Sequence, residues 1–293
     1  MSEKTDTKVS ITAQGTCLMR ATSYFEKDTC YKSGDYIAPM IMPSFFKTLM
    51  KYSLSRAILK KMIFKAPGLY EYVIARTKFT DEVFKNLAEN VEQVLILGAG
   101  FDSRAKRFSN ELKNVKIFEI DALATQQAKI NKFKEKNIEF TPNIKFISID
   151  FTKESLAQKL DDAGFQRNRT CLFLLEGLTY YLNQEAINNT FNLIKDYSAQ
   201  ESILVFDYAS ALTSRQENID DDPTMRKQYK VLAKAGEKPG FLIEEPIQDL
   251  LAKYDFKVID ELDSTELAEK YFNRDDFGLA TRKFGIVKAI KKV

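Results

Sequence analysis

Apolar positions change their period once along the chain. Up to about residue 90 they fall at helical spacing: Phe45, Leu49 and Tyr52, then Leu54, Ile58, Leu59 and Met62, then Val73, Ile74, Phe79, Val83, Phe84 and Leu87. This predicts a helical N-terminal section over residues 1–90. From residue 91 onward, short β-rich runs at 94–97, 116–121, 145–151, 171–176 and 202–208 alternate with helix-like stretches at 122–135, 152–163 and 184–197. Strands alternating with helices predict a mostly parallel sheet covered on both faces. A polar stretch containing Asp220, Asp221, Asp222 and Pro223 follows, then a helical piece around 226–235, a loop with Gly236, Pro239 and Gly240, and a helix over 245–254. Two last strands are expected at 257–262 and 284–290, separated by about twenty residues with little β character. The prediction is an α/β fold with a seven-stranded, doubly wound, mostly parallel sheet behind a helical N-terminal section.

Composition narrows the chemistry. The chain has 293 residues, 44 Lys+Arg against 41 Asp+Glu for a net charge of +3, and no histidine. Without imidazole there is no Ser-His-Asp or Cys-His triad, no His-based zinc site and no histidine general base. The three cysteines, Cys17, Cys30 and Cys171, form no C-x-x-C pair, so neither a disulfide framework nor a zinc cluster is expected. Near-balanced charge argues against a nucleic-acid coat, and the tail Lys288, Lys291 and Lys292 reads as the solvated end of a last strand. No apolar run reaches signal-peptide or membrane-spanning length, which predicts a cytoplasmic protein with no membrane partner.

In doubly wound sheets ligands bind outside the carboxyl ends of the strands, where strand order reverses, so each strand end is informative. The first strand ends in Gly98-Ala99-Gly100-Phe101-Asp102-Ser103-Arg104, a turn in which two glycines allow close backbone approach to a ligand. Arg104 falls near where the dinucleotide fingerprint has its third glycine. The second strand ends with Glu119 and Asp121 on one face, and Asp121 suits bidentate hydrogen bonding to ribose hydroxyls. Asp150 and Phe151 close the third strand, a carboxylate for an exocyclic amine and a ring to stack on a purine. At the fourth, Glu176 faces the middle of the crevice, where it favours a cationic group such as an ammonium or sulfonium, and Thr179, Tyr180 and Tyr181 follow in the loop.

The ordered set resembles the leucine carboxyl methyltransferase family of class I S-adenosylmethionine (SAM)-dependent methyltransferases. The likeness is carried by residues 72–77 (YVIART), 94–104 (VLILGAGFDSR), 118–121 (FEID), Asp150-Phe151 and 176–182 (EGLTYYL), continues in 236–239 (GEKP) and 256–258 (FKV), and covers nearly the whole chain from about residue 15. It implies a Rossmann-like SAM-binding domain over 91–293, with a substrate-side insertion at 209–245 and residues 1–90 as a cap, in one compact unit. It further implies that Arg76 holds the SAM carboxylate, Gly98 and Gly100 lie under the methionine part, Asp121 binds the ribose, Asp150 and Phe151 hold the adenine, and Glu176 lines the methionine end. Family members commonly have Leu where this chain has Phe151, and Trp in the segment that reads Gly236-Glu237-Lys238-Pro239-Gly240 here. That segment lies toward the acceptor in the family. The early segment 17–39 resembles the family's substrate-side region, which makes Arg20 a candidate second cation for a carboxylate and sets it beside Tyr180 on the acceptor side.

Methyl transfer from a sulfonium is a displacement governed by positioning, and a carboxylate acceptor needs no base. The expected activity is therefore SAM-dependent O-methylation of a carboxylate or hydroxyl of a small molecule, such as a polyketide-type metabolite, with no required metal and no residue assigned as catalytic base. Two alternatives stand beside it. A nicotinamide-dependent oxidoreductase on the same general fold lacks the third fingerprint glycine and a Tyr-x-x-x-Lys pair, and a SAM-binding regulatory protein would bind without turnover. The oligomeric state is left open.

Overall fold

The computed structural model describes residues 8–63, 68–86, 90–150, 153–212, 242–275, 277–278 and 281–292. Five helices precede the sheet: α1 (Ile11–Tyr24), α2 (Ala38–Ile41), α3 (Ser44–Met50), α4 (Ser53–Ile63) and α5 (Leu69–Lys85). Then come β1 (Gln93–Leu97), α6 (Arg104–Arg107), β2 (Lys116–Asp121), α7 (Leu123–Glu135), β3 (Ile144–Ser148), α8 (Leu156–Asp162), β4 (Cys171–Leu175), α9 (Gln184–Tyr197) and β5 (Ile203–Ala209). The chain closes with α10 (Ile247–Ala252), β6 (Phe256–Asp263), α11 (Ser264–Phe272) and β7 (Phe284–Lys291).

The sheet has seven strands in the order β3-β2-β1-β4-β5-β7-β6, and only β7 runs against the rest. Strand order reverses between β1 and β4, which sets the switch point at their carboxyl ends. The alternation of strand side chains divides the core. Val94, Ile96, Leu172, Leu174, Val205 and Ile286 face α5 and α11 in one cluster, whereas Leu95, Leu97, Phe173, Leu175, Phe206 and Val287 face α9 and α10 in another. Every residue of β1 and of β4 is buried, as expected for central parallel strands covered on both faces.

Three boundaries differ from the sequence expectation. The third strand was expected to reach residue 151 but stops at Ser148, because as an edge strand it pairs only with β2, whose last residue, Asp121, lies opposite Ser148. The helix expected from 152 begins at Leu156 behind Ser155, whose hydroxyl accepts from the Gln158 N–H. The stretch before the last strand holds α11, started by a capping box in which Asp263 and Glu266 satisfy each other's backbone N–H groups. Phe151, the acids Asp220, Asp221 and Asp222, the helical piece around 226–235 and the segment 236–240 lie outside the described residues. No described helix is long and apolar enough to cross a membrane.

Candidate active site

Register across the sheet builds the centre of the site. Leu174 pairs with Val205 and Leu175 with Phe206, so the next residues, Glu176 and Asp207, sit side by side on the face that looks toward α5. On α5, Tyr72 and Arg76 are one turn apart and share the inward face. The Arg76 guanidinium reaches both acids: Nη1 lies 2.5 Å from Asp207 Oδ2, and Nε lies 3.5 Å from Glu176 Oε1. Burial opposes the charge on Arg76, but Asp207 and Glu176 outweigh it and hold the guanidinium above its usual range.

Asp207 is fully buried and uses both carboxylate oxygens. Oδ1 accepts from the Gly177 N–H at 2.6 Å, and Oδ2 accepts from Arg76 and from the Tyr180 hydroxyl at 2.6 Å. The Tyr72 hydroxyl lies 3.0 Å from that of Tyr180 and donates to the Gly285 carbonyl at 3.2 Å. Burial, reinforced by Asp207, pushes both phenols well above their usual range, so they are neutral hydrogen-bonding groups near neutral pH. Tyr180, named from sequence as an acceptor-side residue, thus has its hydroxyl turned to Asp207. Gly177 adopts φ +72°, and a Cβ there would stand 3.1 Å from Arg76 Nη2, so the turn after β4 closes over the guanidinium only because the residue is glycine.

A second arginine extends the centre toward the glycine turn. Arg104 Nη2 lies 2.8 Å from Glu176 Oε2, while Nη1 and Nε donate to Asp102 and Asp81. Burial raises the Asp102 carboxyl, but the charges of Arg104, Lys129 and Arg20 together with the Arg104 N–H more than reverse this and lower it to about 2. Arg107 donates to both oxygens of Asp81, and Ser103 donates to Asp35. Asp35 accepts from Arg20 at 2.9 Å, and Arg20 also donates to the Phe101 carbonyl at 2.8 Å. Arg20 is therefore a buried part of the glycine-turn scaffold. Two atoms at the centre are buried without a hydrogen bond among the described residues: Arg76 Nε and Glu176 Oε2, the latter held only by charge to Arg104. A guanidinium and a carboxylate side by side, each keeping one atom with charge partners but no hydrogen bond among the described residues, are suited to a ligand bearing both a carboxylate and an ammonium.

The neighbouring strand ends build the other side of the candidate site. Gly98 and Gly100 have φ of +67° and +50°, and Leu178 covers Gly98 so closely that a Cβ would stand 3.1 Å from its Cδ1. Asp121 accepts from the Gly100 and Ala122 N–H groups, which anchors it beside the turn. Glu119, two residues earlier, is engaged instead by buried Lys129 of α7. The Ile149 N–H donates to the Asp121 carbonyl at 3.1 Å, which brings Asp150 to the same edge, where it pairs with Lys153 at 3.0 Å.

The structure thus brings Arg76 and Glu176 into contact, sets Gly98, Gly100 and Asp121 together, and leaves Asp150 on the outer rim. Sequence reasoning missed Asp207, Arg104 and Tyr72. For Asp207 a signal existed: one carboxylate between Phe206 and Tyr208 inside an otherwise apolar strand needs a buried partner. A cavity of about 290 Å³ walled by Tyr36, Met40, Lys106 and Glu139 holds none of the candidate residues. No cluster of three or more metal-binding side chains occurs among the described residues.

Residues 13–195 match the family described as Leucine carboxyl methyltransferase. The chain is 30% identical over 223 residues to YktD of Bacillus subtilis, an assigned S-adenosyl-L-methionine-dependent methyltransferase, covering 75% of this chain and 72% of that one. It is 33% identical over 149 residues to a protein of the same assignment from Mycobacterium ulcerans, a match that spans 50% of this chain and 47%, about half, of that relative. The fold is shared with the crystal structure of an assigned methyltransferase from Thermobifida fusca at a TM-score of 0.60 and 15% identity, covering 98% of this chain and 96% of that one.

Proposed function

The chain belongs to the leucine carboxyl methyltransferase family and is a SAM-dependent methyltransferase, and from that premise we propose that its acceptor is an oxygen of a small molecule, a carboxylate before a hydroxyl. The observation that carries the donor side is the buried Arg76–Glu176 pair at the switch point, in which Nε and Oε2 have charge partners but no hydrogen bond among the described residues. Five carboxylates, Asp35, Asp81, Asp102, Glu176 and Asp207, surround four guanidiniums, Arg20, Arg76, Arg104 and Arg107, so the cluster is formally one positive charge short. SAM, with a sulfonium, an ammonium and a carboxylate, carries that net charge. The residues present fit it.

In this reading Arg76 pairs with the carboxylate of the methionine part, Glu176 with its ammonium, Asp121 with the ribose hydroxyls and Asp150 with the adenine amine. The bound cofactor supplies an electrophilic methyl group, which an acceptor oxygen takes with its own electron pair as the S–C pair returns to sulfur. Asp207 keeps Arg76 aimed and fixes the Gly177 turn, so the donor site is preorganised before binding. Preference for a carboxylate follows from what the described residues of the site lack. The chain has no histidine, the two site phenols are held neutral on Asp207, and Glu176 and Asp207 are ion-paired, so none of these groups stands ready to deprotonate an alcohol.

Calorimetric titration with SAM tests the donor half, and well-folded protein that takes up none overturns it. The acceptor half is tested by incubating a small-molecule pool with methyl-labelled SAM and identifying products by mass spectrometry. Methyl esters are expected, and N- or C-methyl products exclude the oxygen acceptor.

A further inference from the structure

We propose that the outer face of α3 and α4 is a peripheral docking surface for a lipid bilayer bearing anionic headgroups. Among the described residues, seven of the eleven exposed large apolar side chains fall between Tyr36 and Ile58: Tyr36, Met40, Phe45, Leu49, Tyr52, Leu54 and Ile58. Scattered exposed apolar residues need no explanation, but such a concentration marks an interaction surface. The spacing is ordered. Phe45 and Leu49 are one turn apart on α3, as are Leu54 and Ile58 on α4, while Phe46, Met50 and Leu59 point the other way into the small core shared with α1 and α2. The two helices are fastened by buried Arg56, which donates to the Met50 and Lys51 carbonyls and pairs with Glu26. Leu54 is 73% exposed and Tyr52 63%, so the outward stripe stands in water on a fixed scaffold.

Charge selects the occupant. Between Asp35 and Glu71 the chain contains no acid and six basic residues, Lys47, Lys51, Arg56, Lys60, Lys61 and Lys65. Arg56 and Lys60 turn inward to Glu26, whereas Lys47, Lys51 and Lys61 are exposed with no ion-pair partner among the described residues. Aromatic and aliphatic side chains flanked by lysines without an ion-pair partner among the described residues, on short helices whose other face packs with α1 and α2, suit insertion at the headgroup level of an anionic bilayer. A second copy of the same face would set lysines against lysines, which disfavours self-pairing. The whole-chain charge of +3 conceals this local excess, and surface docking needs no spanning run, the ground on which no membrane partner is expected from sequence.

The test is co-sedimentation of the full chain with vesicles of phosphatidylcholine alone or mixed with phosphatidylserine. Binding is expected only to the mixed vesicles, weakening as salt rises. Lys47→Glu/Lys51→Glu is expected to weaken it roughly tenfold or more, since each cation near such a surface contributes about fivefold. Phe45→Ser/Leu54→Ser removes the inserted side chains and is expected to weaken it by at least about tenfold. All four positions are exposed, so unchanged melting and unchanged SAM titration identify the loss as one of docking. The proposal is overturned by equal binding to both vesicle types, by no binding to either, or by variants that bind like the parent. It is also overturned if sedimentation velocity shows a dimer that Phe45→Ser/Leu54→Ser dissociates while vesicles bind nothing.

Discussion

Helices α4 and α5 are neighbours in sequence and both carry apolar residues at helical spacing, yet the fold treats them in opposite ways. Along α5 twelve residues are buried, among them Arg76, Thr77, Thr80 and Asp81, because the helix packs on the face of the sheet and its Arg76 reaches Glu176 and Asp207 at the ends of β4 and β5. On α4, Leu54 and Ile58 face outward, and the fully inward position is held by a charge, Arg56. Period alone therefore predicts a helix without saying which face finds a partner. What distinguishes the two is the company of polar residues. In α5, Arg76 and Asp81 lie within the apolar face and demand buried counter-charges, whereas in α4 the lysines flank the stripe.

The largest expected effect is on the buried side of this comparison. Arg76→Met leaves Glu176 and Asp207 without their shared cation and removes the guanidinium proposed to meet the SAM carboxylate. SAM affinity should fall at least about 100-fold by calorimetry. Asp207→Asn probes the same centre from the strand side. Neutralising one member of a buried ion pair that also holds a backbone N–H and a phenol is expected to cost about 3 kcal/mol in denaturant unfolding and to weaken SAM binding as Arg76 loses its aim. If Asp207→Asn melts like the parent, the carboxylate does not organise the site.

Ile74→Ala comes next. Its side chain is fully buried in the cluster between α5 and the sheet, so the substitution should cost about 2–5 kcal/mol in the same unfolding measurement. Acid reaches the network by a different route. The folded Asp102 carboxyl sits near 2 against a usual 3.8, so its stabilisation is complete above about pH 4 and is lost as pH falls toward 2. That amounts to about 2 kcal/mol. Asp35, lowered because Arg20 and Arg107 outweigh its burial, acts in the same direction. Melting temperature followed from pH 5 to 2 should drop through this window, and the drop should shrink in Asp102→Asn.

Much of the sheet was legible because β1, β4 and β5 are buried on both faces and read as apolar runs, that of β5 interrupted only by Asp207. The end of β3 was not legible, since its length is set by the strand it pairs with and not by its own residues. Helix α11 was passed over although Leu267 and Tyr271, and Ala268 and Phe272, stand one turn apart, and its start is marked by the Asp263–Glu266 capping box. The candidate site divides similarly. Gly98, Gly100, Asp121 and Glu176 stand at strand ends, where position in the sequence implies position in space. Asp207 and Arg104 act through partners 131 and 23 residues away, which only the register of β4 against β5 and the seat of α5 bring into contact.

The smallest expected effect is on the exposed side, and it tests the comparison most directly. Leu54→Ser has the same helical spacing behind it as Ile74→Ala, but its side chain is already 73% in water, so the folded state loses little apolar burial. Its change in unfolding free energy should stay within about 0.5 kcal/mol. A cost above about 1 kcal/mol would mean that the folded chain covers this stripe itself, and α4 would join α5 as a core helix. A neutral result leaves the stripe with no role in folding, and its clustering between unpaired lysines then needs a reason outside the fold.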